Sequence, residues 1–247
     1  MQENLRKYYK NRKIAPGIIK TDCMECEMKD CSILKECTDE CVKQFSGMKK
    51  VYVFKSGQRI FMEGNSMRGI YFVEEGQIKI YKSDAKGQEI ILRFAGSGDM
   101  IGLSCNTENN EYAASAVSLS DSTLCFADAE SFSALYMNHP DLALQLIKYF
   151  KSELCTMETR ALKLASLSVF RKVADTLLTL LEKFGVEPFS GTLNAVLSRQ
   201  EMASFAGTTK EQVSKIISEL KQDGIIDTNG KLIRVLKPDL LMEMASD

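Results

Sequence analysis

Eight of the fifteen glycines fall between positions 57 and 102, where they separate short runs of β-branched and aromatic residues. The runs are Val51-Tyr52-Val53-Phe54, Ile70-Tyr71-Phe72-Val73, Ile78-Lys79-Ile80-Tyr81 and Ile90-Ile91-Leu92-Arg93-Phe94. Between them stand Ser56-Gly57, Glu63-Gly64-Asn65, Glu75-Gly76 and Lys86-Gly87. β-branched and aromatic side chains fit a pleated, half-buried surface, and glycine frees the backbone for tight turns. Short strands punctuated this closely predict a β-sandwich or barrel over residues 46–137.

Residues 138–165 follow another period. Asn138 can cap a helix, and Pro140 suits a first helical turn. Ile147, Phe150, Leu154, Met157, Ala161 and Leu164 then recur at alternating spacings of three and four, an a/d seam. Such a short seam fits one helix packed on its own domain or a contact between two chains. The two-chain reading is favoured, because the seam stands between two segments that would each have a core. In residues 166–247, Val169, Phe170, Val173, Ala174, Leu177, Leu178, Leu181 and Phe184 mark an amphipathic helix stopped by Gly185.

Ser198-Arg199-Gln200-Glu201 is a capping box opening a short helix, and Gly207 permits a turn after it. Thr209 caps a second helix, with Val213, Ile216, Ile217 and Leu220 inward and Gly224 at its end. Two short helices about a glycine turn are a helix-turn-helix. Lys210, Glu211, Ser214 and Lys215 share one face near the start of the second helix, where base edges are read in the major groove. Glu accepts from cytosine N4, Lys donates to guanine, and Ser serves a base or a phosphate. Thr209 and Arg199, at the two helix starts, complete the candidate DNA-contacting set. Asn229-Gly230, between Ile225-Ile226 and Leu232-Ile233-Arg234-Val235, reads as a hairpin turn. It predicts a wing that brings Lys231 and Arg234 near the DNA backbone.

Lys plus Arg number 32 and Asp plus Glu 33, so bulk charge does not announce nucleic-acid binding. One His leaves little room for a His-dependent triad or a His-rich metal site; His139, beside Pro140, reads as a surface or capping residue. Residues 1–20 are basic (Arg6, Lys7, Lys10, Arg12, Lys13 and Lys20 against Glu3). No apolar run of signal-peptide or membrane-helix length follows, so a cytoplasmic protein without a membrane partner is expected. The basic stretch reads as a solvated end.

The segments Gly57 to Gly64, Ile70 to Tyr81 and Gly98-Asp99-Met100-Ile101-Gly102 resemble the β-roll signature of the CRP/FNR family of bacterial transcription regulators. Ser198 to Leu220 is similar to that family's helix-turn-helix, and the resemblance covers about residues 46–237. It implies an α+β fold: a cyclic-nucleotide-binding-like β-roll, a long dimerisation helix and a winged helix-turn-helix. The division expected is a Cys-rich segment over 1–45, the β-roll over 46–137, the helix over 138–165 and the DNA-binding domain over 166–247. The resemblance further implies a non-enzymatic homodimer on a near-palindromic operator in double-stranded DNA, working with RNA polymerase. Glu211, Ser214 and Lys215 fall where the FNR branch has Glu, Ser and Arg, and Lys210 falls where the cyclic-AMP branch has Arg. Lys215 lacks the bidentate fork of Arg. Where cyclic-AMP binders hold Glu, Arg and Ser, this chain has Leu103, Ala113 and Ala114. A buried cyclic phosphate would then lack a cation, so cyclic AMP is not the expected ligand.

Five of the eight cysteines, Cys23, Cys26, Cys31, Cys37 and Cys41, lie within nineteen residues. In a reducing cytosol, clustered cysteines read as ligands or redox thiols before disulfides. Cys31-Ser32-Ile33-Leu34-Lys35-Glu36-Cys37 resembles the N-terminal segment of FNR-type oxygen sensors, and Cys125 matches their distant fourth ligand. That resemblance implies an iron–sulfur cluster on Cys26, Cys31, Cys37 and Cys125, with Cys23 and Cys41 as alternates. The family's C-x2-C would need a cysteine at Met28, so the ligand set stays open. A zinc site, a thiol switch, or cysteines without a ligand beside another small-molecule effector are the other readings. Cys105 and Cys155 read as small buried hydrophobes.

Overall fold

The computed structural model describes residues 22–26, 29–103, 105–106 and 109–245; the basic stretch at residues 1–20 lies outside them, as does Met28. The described chain forms two compact units. One holds the residues up to Lys82 together with Leu92–Glu158; the other holds Ser83–Ile91 and the chain from Thr159 onward.

The first unit is built on ten short strands, two of which run over its boundary at Ser83 and at Glu89–Ile91: β1 (Lys50–Phe54), β2 (Arg59–Phe61), β3 (Gly69–Glu75), β4 (Ile78–Ser83), β5 (Glu89–Ala95), β6 (Met100–Ile101), β7 (Cys105–Asn106), β8 (Glu111–Tyr112), β9 (Ser115–Ser118) and β10 (Ser122–Asp128). Two four-stranded sheets run in the orders β1-β10-β3-β6 and β2-β9-β4-β5. The non-sequential orders show strands crossing between sheets, as in a roll. Between the sheets lie Phe54, Phe61, Val73, Ile78, Ile80, Ile101, Tyr112 and Leu124. Gly76 makes the β3–β4 turn at φ +112°, and a Cβ there would collide with the Ser122 side chain. Only glycine satisfies both demands.

Side chains alternate along β10. Leu124 enters the inter-sheet core, whereas Cys125 and Ala127 face the opposite way. There they meet a second core from α1 (Asp39–Met48), α2 (Ala129–Asn138) and α3 (Pro140–Ser166), which contributes Val42, Phe45, Phe132, Leu135 and Leu142. The helix α2 interrupts a region expected to be all strand. Its signal was an N-cap: the Asp128 side chain accepts from Ser131 N at 2.9 Å, with Phe132 and Leu135 buried behind it. His139 follows α2 as its C-cap, and its Nε2 lies 3.0 Å from Gln44 Oε1.

Along α3, Leu142 and Leu146 are buried while Ile147, Phe150 and Leu154 are 65%, 49% and 59% exposed. The helix thus keeps one apolar stripe inside and leaves Ile147, Phe150 and Leu154 of the a/d seam uncovered, with Met157 and Leu164 half-buried. Cys155 is exposed on this helix, against the expectation of a buried position. It directly follows the outward Leu154 and so falls on the solvent side.

The second unit contains α4 (Val169–Phe184), α5 (Arg199–Ala206), α6 (Lys210–Gln222), β11 (Ile226–Asn229), β12 (Leu232–Val235) and α7 (Pro238–Ala245). Ser198 completes a capping box with Glu201 at the start of α5, and Gly207 closes the helix in the left-handed region. In the wing, Asn229 pairs with Leu232, so the turn is Gly230-Lys231, one residue later than the sequence suggested. Gly230 takes φ +61° at the first turn position, as a glycine-led hairpin turn requires.

Candidate nucleic-acid interface and cysteine segment

Thr209 is the N-cap of α6, its hydroxyl accepting from Gln212 N at 3.3 Å. Val213, Ile216, Ile217 and Leu220 are buried and fix the helix rotation. Lys210, Glu211 and Lys215 are consequently exposed, and Ser214 half-buried, on the face the sequence had singled out. The Ser214 hydroxyl donates to Lys210 O at 2.9 Å, leaving its lone pairs outward. Glu211's own backbone N–H, and then the Thr209 hydroxyl, hold its carboxyl below the usual range, so it stays an acceptor at neutral pH. Lys215 lies 3.8 Å from Glu219, a loose i,i+4 pair that leaves the ammonium available. Arg199 opens α5, where it is half-buried against Met202 Sδ at 3.8 Å, and burial lowers its pKa. In the same unit, Arg160 donates to Ile91 O and Phe205 O at 3.1 and 2.8 Å and lies over the Phe205 ring.

Five of the six described free thiols gather in two places, Cys155 standing apart on α3, and none of the six forms a disulfide. Cys23, Cys26 and Cys125 line one small cavity with Lys29, Lys49 and Glu74. Ser46 on α1 anchors this arrangement by accepting from Cys23 N at 3.0 Å, and Val51 on β1 faces Cys125 across the sheet. Burial pushes the Cys125 thiol up to about 11, against the opposing field of Lys49. Cys37 stands instead with Cys41 and Asp141, their ligand atoms all within 4.8 Å of one another. Burial, and then the Asp141 charge, raises Cys37 to about 11; burial raises Cys41 to about 12. Asp141, in the first turn of α3, accepts from Thr38 N at 2.6 Å, which holds its own pKa down. Cys31 ends a 3-10 turn over Lys29–Cys31; its side chain, like that of Cys105, lies outside the described residues. Of the four expected ligands, Cys26 and Cys125 share a cavity while Cys37 does not join them. Lys49, Ser46 and Asp141 had no sequence signal, because only the tertiary fold brings them to the cysteines.

The effector region of the roll is also formed. Leu103, Ala113 and Ala114 line a cavity of about 420 Å³ with Phe61, Tyr149 and Phe150. Its two cations are engaged: Arg93 with Glu153 at 3.3 Å, and Lys82 with Glu63 at 3.2 Å.

Residues 52–139 match the cyclic nucleotide-binding domain family, and residues 171–244 match the Crp-like helix-turn-helix domain. The chain belongs to the CRP/FNR family. This regulator is 26% identical over 230 residues to the transcriptional activator protein Anr of Pseudomonas protegens, covering 88% of this chain and 91% of that one. It is 25% identical over 238 residues to the fumarate and nitrate reduction regulatory protein of Vibrio cholerae, covering 95% and 94%. FixK2 from Bradyrhizobium japonicum shares the fold, with a TM-score of 0.72 at 22% identity over 81% of this chain and 98% of that one. The relatives are transcription regulators, and the chain is a DNA-binding regulator rather than an enzyme. No helix among the described residues is long and apolar enough to cross a membrane.

Proposed function

We propose that this regulator is a cytoplasmic homodimer whose DNA binding responds to oxygen or redox state through an iron–sulfur cluster. The observation that carries the reading is the cavity holding Cys23, Cys26 and Cys125. Soft thiolates converging from the N-terminal segment and a distant strand suit such a cluster. Cys31 ends the 3-10 turn that begins at Lys29, a residue lining the same cavity, and is taken as the fourth ligand from the sequence resemblance. When bound, the cluster supplies a one-electron couple. The chain's own part is to release the thiol protons, hold the sulfurs and exclude water around them.

The sequence-derived ligand set and the cavity set share Cys26, Cys31 and Cys125. They differ in Cys37 against Cys23, and the geometry favours Cys23. Anaerobic reconstitution of single Cys→Ser variants, read by bound iron and acid-labile sulfide, decides between them. Cys125→Ser should lose both. Iron retained in Cys37→Ser and lost in Cys23→Ser supports the cavity set, and the reverse restores Cys37. A wild-type protein that stays colourless sinks the cluster reading.

On the output side, Lys210, Glu211, Ser214 and Lys215 read base edges, and Thr209 and Arg199 flank them at the helix starts. The exposed seam of α3 pairs with a second copy, giving the two-fold symmetry of a near-palindromic operator. RNA polymerase is the expected further partner, and the division at residues 45, 137 and 165 is the working domain plan. Ordering of the N-terminal segment on α1, β10 and the start of α3 would bias the long helix toward the DNA-binding pairing.

A second reading has its own observation. The apolar cavity of about 420 Å³ suits a small hydrophobic effector, and its engaged cations argue against a cyclic phosphate. Equilibrium dialysis with cyclic AMP should give no binding; saturable binding would contradict the reading of this cavity as one that excludes a cyclic phosphate.

A further inference from the structure

Lys49 lines the cysteine cavity, and the proposed function leaves it without a role. It is the C-cap of α1, its backbone N–H donating to Phe45 O at 3.1 Å, and β1 begins at the next residue. The backbone on both sides is therefore fixed, and the side chain turns inward. Its Nζ is out of solvent, with the sulfurs of Cys23 and Cys125 beside it. A buried ammonium is costly unless a counter-charge faces it.

The cavity states which counter-charge is available. Its charged and sulfur-bearing walls are, besides Lys49, Cys23, Cys26 and Cys125, the carboxylate of Glu74 and the Lys29 side chain, the last lying 3.7 Å from Asp39. Of these, Cys23 and Cys125 lie against the Lys49 ammonium. A metal-bound thiolate set is anionic where neutral thiols are not.

We infer that Lys49 is a positioning residue for the cluster site: its buried ammonium faces the sulfurs of Cys23 and Cys125 and sets the reduction potential of the bound group. This inference rests on the iron–sulfur reading above. A fixed cation beside ligand sulfurs favours the more negative, reduced state, so it raises the potential. Glu74, in the same cavity, acts with the opposite sign.

The test uses full-length wild type, Lys49→Met, Lys49→Arg and Glu74→Gln, each reconstituted anaerobically with iron and sulfide. Bound iron and sulfide are measured, then the midpoint potential by a mediated titration followed by visible absorbance. Lys49→Met should load but shift its reduction equilibrium about tenfold toward the oxidised state, about 59 mV lower for one electron. Lys49→Arg, which keeps the charge, should stay near wild type, and Glu74→Gln should move the potential upward. A Lys49→Met potential equal to wild type overturns the inference, as does an equal shift in Lys49→Arg. Should Lys49→Met fail to load, Lys49→Gln, which also removes the charge, carries the same decision, with a potential equal to wild type counting against the inference. A wild type without iron or sulfide instead removes the underlying cluster reading, so the two failures are distinguishable.

Discussion

The recognition head and the cysteine segment are built on opposite principles. In the head, each functional side chain is placed by neighbours a few residues away: the Ser198–Glu201 box, the Gly207 turn, the Thr209 cap and the inward Val213, Ile216, Ile217 and Leu220. In the cysteine segment, the groups that meet are far apart in the chain. Cys23 meets Ser46, Thr38 meets Asp141, and Cys125 joins Cys23 and Cys26 at one cavity. Local placement makes a reader whose geometry is preformed. Long-range placement makes an element whose geometry depends on what holds its parts together, and such an element can be biased between states.

The comparison can be broken most forcefully at Cys125. Cys125→Ser should abolish iron and sulfide binding while leaving non-specific DNA binding intact. A cluster at wild-type occupancy in that variant would show that β10 takes no part in the site. Next in size is the reader. Glu211→Ala and Lys215→Ala should each cost about 1–3 kcal/mol of discrimination against the wrong base. Fluorescence anisotropy with an operator and a scrambled duplex would measure it. If selectivity survives both changes, α6 is not the reading helix.

Smaller effects sharpen the contrast. Ser198→Ala removes one half of the capping box and should destabilise the head by about 1 kcal/mol, measurable by urea denaturation. It should leave the iron content of the cysteine segment unaltered. Smallest of all, Glu219→Ala breaks the loose pair with Lys215 and should change stability by under about 0.5 kcal/mol. That variant is a control: Lys215 should read DNA as well or slightly better without it.

The same division explains what the sequence disclosed. Strand runs, helix caps and the glycine turn are local signals, so the roll, α4, α5 and α6 were legible. Two local signals were misread. Asp128 capping Ser131 announced α2 within a stretch taken for strand, and the wing turn fell at Gly230-Lys231 because β11 extends through Asn229. The face Lys210, Glu211, Ser214 and Lys215 followed from helical period alone. Which cysteines lie together did not follow from spacing, because Cys37 stands with Cys41 and Asp141 at the start of α1. Lys49 was invisible for the same reason: nothing next to it in the chain marks a lysine whose ammonium the fold turns inward.

The central claim is that the cysteine site governs the reader. The direct measurement is the affinity of reconstituted protein for one operator, first under argon and then after exposure to air, with iron and sulfide assayed on the same samples. The account predicts that operator affinity falls as iron and sulfide are lost, and that Cys125→Ser shows the low affinity under both atmospheres. Equal affinity before and after cluster loss would contradict it.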